Sequence, residues 1–143
     1  MNREILFRGK RVDNGEWVCG FLTCMNYIDV FTQKVCYDGQ EELNYCTVEH
    51  CQVDKNTVGQ FTGLCDKNGD EIYEGDILEF DGAEIPEEER AEVVFTDGRF
   101  RLKNPRYDYM DDLNSLTASM EIIVGNTYDG VYGETNNDET RTS

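Results

Sequence analysis

The residues with the strongest intrinsic chemistry in this chain are its six cysteines, at positions 19, 24, 36, 46, 51 and 65, and its single histidine, His50. Cysteines and a histidine can hold zinc, but structural zinc sites place paired cysteines about two to four residues apart and bring two such pairs together. Here Cys19 and Cys24, and likewise Cys46 and Cys51, have four residues between them, the wide end of that range. Cys19 and Cys51 also fall in strand-like patterns, where a thiol packs as a small hydrophobe. We therefore expect buried or incidental thiols, and neither a metal nor a cofactor. A Cys–His nucleophile would have to use His50. Cys51 is its neighbour in sequence, so the two side chains point to opposite faces of a strand. Cys46 shares the histidine's face but lies roughly 13 Å along it.

Carboxylates are plentiful, but none is arranged for acid–base work. Glu74-Gly75-Asp76 could be pictured as a magnesium or general-base site, yet Asp beside Gly more simply holds a turn by accepting backbone N–H groups. Asp66-Lys67-Asn68-Gly69-Asp70 echoes part of a calcium loop, but the position that should carry the bidentate glutamate is Ile77. Phosphate-binding glycine loops and GxSxG are missing from the sequence. The expectation is a protein that is not an enzyme.

Two surface constellations remain. Arg99, Arg101, Lys103 and Arg106, interleaved with Phe100, Tyr107 and Tyr109, could form a face for single-stranded nucleic acid, since small barrels bind single strands with basic strands and stacked aromatics. A second basic cluster, Arg8, Lys10 and Arg11, would have to lie nearby to strengthen it. Opposed to this is an acidic arc containing Glu84, Glu87, Glu88 and Glu89, followed by Asp108, Asp111 and Asp112. It could imitate phosphates or dock on a basic protein. Overall charge favours the second option: 30 acidic against 13 basic residues, net −17. Duplex DNA is a poor partner for such a chain, because binding needs clustered Lys and Arg to meet the phosphates.

At 143 residues, a core can form without disulfides or metal. No apolar run reaches the ~18 residues of a membrane span, and the start of the chain has no signal-peptide pattern. The expectation is a cytoplasmic protein with reduced thiols in a bacterial host cell.

The elements that would position these residues read as strands and tight turns. EILFRGKRV (4–12) and EWVCGFLT (16–23) alternate about the turn Asp13-Asn14-Gly15, with Trp17, Cys19 and Phe21 on one face. Residues 27–31, 34–37 and 45–53 are further strands, with 38–42 as a polar loop. TVGQFTGLCDKNGDEIYEGDILEF (57–80) carries a hairpin at Asn68-Gly69 and a second turn at Gly75-Asp76. AEVVFT (91–96) and RFRLK (99–103) join at Asp97-Gly98. Met110, Leu113, Leu116 and Met120 have helical spacing, which suggests a short amphipathic helix within 107–120. Glu121–Val124 is a last strand.

Four blocks, ReILFRGKRvDNGeWVcGfl (3–22), the central 57–80 stretch, VVFTDGRFRL (93–102) and EIIVGNTYD (121–129), resemble the YopX family of phage and prophage proteins. They occur in the family's order, and the central block is the specific one. The cysteine-rich 19–65 region departs from that pattern. The resemblance implies a small bacterial or phage protein of β-barrel type, and it supplies no catalytic residues to carry over. The resulting expectation is an all-β, mainly antiparallel chain. An N-terminal β subdomain (1–55) precedes a small SH3-like, partly open barrel (56–130) with at most one short helix, and a polar disordered tail (131–143) follows. It would act through protein contacts on its acidic surface, and the N-terminal β subdomain or an unpaired barrel edge would mediate any self-association.

Overall fold

The computed structural model describes residues 4–39, 41–80, 90–104 and 110–132. Alternating apolar residues and frequent turns produce strands almost throughout, and the chain divides into two units, 1–60 and 61–143.

The first unit is an antiparallel meander. Strands β1 (Phe7–Lys10), β2 (Trp17–Cys24), β3 (Tyr27–Asp38) and β4 (Glu41–Gln52) pair in the order β4-β3-β2-β1, and Gly59 and Gln60 at the start of β5 (Gly59–Cys65) add to β1. Its core is Ile28, Cys51 and Val53, each 2% exposed or less. Gly20 permits this packing. A Cβ there would run into the carbonyl oxygen of Asp29 on the neighbouring strand and crowd Ile28. A short 3₁₀ turn, Lys55–Thr57, closes the unit; the Asp54 side chain accepts from the Asn56 N–H, and the Thr57 hydroxyl accepts from the Lys10 N–H at 2.9 Å.

The stretch 38–42, expected as a loop, has Asp38 at the end of β3 and Glu41 and Glu42 at the start of β4. Asp38 pairs with Glu41, so β3 and β4 run twelve residues each around a turn at Gly39. β2 pairs with β3 only from Tyr27 to Asp29. Beyond Asp29 the β3–β4 hairpin therefore continues as a two-stranded ribbon.

In the second unit the rest of β5 pairs with β6 (Glu71–Tyr73) across the Asn68-Gly69 turn. The other sheet contains β7 (Asp76–Phe80), β8 (Ala91–Thr96), β9 (Arg99–Lys103), β10 (Met110–Asp112), β11 (Glu121–Asn126) and β12 (Gly130–Val131), in the order β10-β9-β8-β7-β11-β12. Residues 71–73 and 77–80 belong to different sheets. The turn at Glu74-Gly75 separates them. Both strand orders are linear, so the described sheets stay open rather than closing into a barrel. The all-β, antiparallel class and the single short helix hold.

Ile72, Leu78, Val93, Leu102, Leu113 and Ala118 form the core of this unit. The helix α1 spans only Ser115–Ala118, and Asn114 caps it in a reciprocal box with Thr117. Residues 110–112, expected as helix, are instead strand β10 along β9. The reason is burial: Leu113 packs into the core while Leu116 stays 67% exposed, so the four positions never form one buried helical face.

Candidate functional site

The basic strand is built by the β8–β9 hairpin. Asp97 and Gly98 both adopt positive φ (55° and 78°), which suits a two-residue turn between twisted strands. Thr96 therefore faces Arg99, and Val94 faces Arg101. Arg99 and Arg101 share a face with Lys103, opposite the core residue Leu102. They are not free cations. Strand β10 sets Asp112 against Arg101 in register, and the Asp112 carboxylate lies 3.4 Å from Arg99 and 3.9 Å from Arg101. Asp97 reaches Arg101 at 3.5 Å, and Arg101 donates to the Met110 carbonyl oxygen at 3.5 Å. Lys103 stands opposite Glu92, whose carboxyl is pushed up by burial although Lys103 pulls it down. Arg106, Tyr107 and Tyr109 lie outside the described residues, as do Glu84, Glu87, Glu88 and Glu89 of the acidic arc and Asp108. Asp111 and Asp112 are exposed on β10.

The same neutralisation recurs in the first unit. Arg11 binds Asp13 at 2.8 Å and Glu49 at 3.0 Å. The hydrogen bond from Arg11 holds the Asp13 carboxyl below its ordinary range. Arg11, Lys10 and Lys55 line an open groove with Asn26 and Gln52, but Asp54 shares it and Arg11 is already committed. Arg8 and Lys10 place their charges 4.8 and 5.5 Å from the centre of the Trp17 ring, within cation–π reach.

Geometry separates the histidine from the thiols. His50 sits opposite Asp29 and meets its carboxylate through Nδ1, while its ring stacks on Tyr27. Cys51 turns to the other face and is 2% exposed. Burial pushes its thiol up, and the neighbouring Glu49, 3.3 Å from Sγ, pushes it further, so Cys51 is a poor nucleophile. Cys19, Cys24, Cys46 and Cys65 are exposed free thiols. Among the described residues no three His, Cys, Asp or Glu side chains gather as metal ligands would. Asp29 and Tyr27 are the partners of His50 that sequence reading missed, because only the strand register brings them together.

The two turn aspartates are structural. Asp66 accepts from the N–H groups of Asn68 (2.9 Å), Asp70 (2.9 Å) and Ile123 (3.0 Å). Asp76, 1% exposed, accepts from the Tyr73 N–H at 2.7 Å. Among the described residues, no helix is long and apolar enough to cross a membrane.

The fold and these surfaces define a small, open, two-sheet antiparallel β protein. The YopX protein family matches residues 6–130, and the chain belongs to that family. Its fold is similar to the crystal structure of protein EF1440 from Enterococcus faecalis, at 22% identity and a TM-score of 0.52, over 87% of this chain and 94% of that one. No curated protein matches the chain.

Proposed function

We propose that this chain is a phage or prophage accessory protein of the bacterial cytoplasm that works without catalysis, presenting an anionic surface to a basic protein partner. One observation carries the reading. Arg11, Arg90, Arg99 and Arg101 are each within 4 Å of a carboxylate of the same chain, by Asp13 and Glu49, Glu79, Asp112 and Asp97 respectively. Neutralising bases locally leaves the excess of acids, net −17, to set the outer field. Such a field speeds encounter with positively charged surfaces and repels phosphates. Family membership supports the phage setting.

Single-strand binding through Arg99–Arg106 is the weaker alternative, since Arg99 and Arg101 would first have to exchange their carboxylates for phosphates. Affinity capture from an infected or lysogenic bacterial lysate tests the proposal. Wild-type chain should retain a basic protein that salt releases, and reversing Glu84, Glu87, Glu88 and Glu89 to Lys should abolish retention. Unchanged capture by that variant removes the acidic arc from the account.

A further inference from the structure

One face of the first unit stands apart from the rest of this acidic chain. The registers place Arg8 and Lys10, Trp17 and Phe21, Asp29 and Phe31, and Val48 and His50 on it together. Among the described side chains of its strands Asp29 is the only carboxylate, and His50 occupies it; Glu4 lines the pocket beside Phe21, and the register puts Glu42 on the same face near the ribbon tip. Phe21 and Phe31 pack edge to face with centroids 5.4 Å apart, yet each is 49% exposed, and Val48, directly opposite Phe31, is 52% exposed. The patch extends along the β3–β4 ribbon beyond Asp29, which no third described strand supports. A two-stranded ribbon in water is marginally stable by itself.

We propose that this face is covered by a second copy of the same chain, packed face to face through Phe21, Phe31 and Val48. Charge selects that occupant. A strongly basic partner would gain little from a face whose centre, at Phe21, Phe31 and Val48, is apolar and whose one described strand carboxylate is already paired. A nucleic acid strand would need cations, and the two present, Arg8 and Lys10, are held over Trp17. Two copies carrying −17 each approach at least cost through the surface poorest in acid, the apolar centre at Phe21, Phe31 and Val48. The dimensions also fit. The ribbon residues 30–38 run about 30 Å at the usual strand rise, close to the breadth of the ~800 Å² patch that each partner buries in a stable complex. The inference does not depend on the basic-partner proposal, whose test alters Glu84–Glu89 and leaves Phe31 in place.

Sedimentation velocity on the full chain decides it. Mutual repulsion opposes association and salt screens it, so raising salt from about 0.05 to 0.5 M should tighten a dimer or larger assembly. Ion pairs or phosphate contacts would show the opposite trend. Phe31→Glu should weaken association by about thirtyfold or more, given the apolar area withdrawn on both copies. Its circular dichroism should be unchanged, because the ring is half exposed. Thr32→Glu adds the same charge on the opposite face and should have a far smaller effect. Monomer at all concentrations and salts would overturn the proposal. So would assembly that salt weakens, assembly that Phe31→Glu leaves intact, or a monomeric chain that uses Phe31 to hold single-stranded DNA or a different protein.

Discussion

His50 and Asp29 stand opposite one another where the β3–β4 ribbon leaves its sheet, and the imidazole lies flat on Tyr27 with ring centres 4.4 Å apart and planes within 6°. The pair acts as a clasp at the ribbon's base. A stacked ring pair contributes about 0.5–1.5 kcal/mol, so Tyr27→Ala or His50→Ala should lower ribbon stability by that order. Hydrogen exchange of the amides in 30–38 and 41–49 should quicken while the β7–β9 amides are unaffected. Equal exchange in variant and wild type would deny the clasp.

Gly20 sits where two strands come too close for a side chain. Gly20→Ala must displace the Asp29 carbonyl oxygen, and it crowds the Ile28 side chain as well. Overpacking of this kind costs about 1–3 kcal/mol, visible as a lower urea midpoint. Gly15→Ala, at a turn with open space around it but a φ of 73°, should cost less, about 1 kcal/mol from backbone strain alone.

Asp66 accepts from three N–H groups through its two carboxylate oxygens. Asp66→Ala should destabilise the second unit by about 3 kcal/mol, since each orphaned donor costs roughly 1–3 kcal/mol and water can reach part of the turn. Asp66→Asn should recover part of the loss, because its carbonyl oxygen still accepts while its amide cannot serve Ile123. A calcium-dependent melting temperature would point instead to the ion loop that the sequence only echoes.

Much of this fold was legible beforehand. Asp97-Gly98 marks a hairpin because a type I′ turn needs positive φ at both central positions, and Asn68-Gly69 marks one although only its glycine takes positive φ; the strands beside both alternate cleanly. The long hairpin was hidden for the opposite reason. Its tip, Asp38-Gly39-Gln40-Glu41-Glu42, is as polar as a loop, because a ribbon that no third described strand joins has little reason to carry apolar residues there. Met110, Leu113, Leu116 and Met120 imitate a helix by spacing alone; tertiary packing buries only Leu113 among them and gives 110–112 to a sheet edge. The neutralised arginines followed from that same error. With no β10 in view, nothing placed Asp112 beside Arg99.

Glu121 offers a pH test. Burial pushes its carboxyl up, and nearby Glu79 adds to the effect. The folded chain therefore holds this proton to higher pH than the unfolded chain does. Native stability from this group is greatest below the ordinary carboxylate pKa of about 4.3, falls as pH rises through the folded-state value, and is then level. Glu121→Gln should raise the melting temperature at pH 7 and leave it unchanged near pH 3.5. Glu92→Gln should act in the same direction but less strongly, because Lys103 already offsets part of its burial. A melting temperature lowered at pH 7 by Glu121→Gln would reverse the assignment.

Arginines paired by their own chain leave the anionic field to choose the partner, and fluorescence anisotropy at low ionic strength reads this most directly, using a labelled single-stranded oligonucleotide and a labelled lysine-rich peptide. The predicted result is binding of the peptide, weakening steadily as salt is added, and none of the oligonucleotide. Oligonucleotide binding that disappears with Arg99→Glu and Arg101→Glu would contradict it.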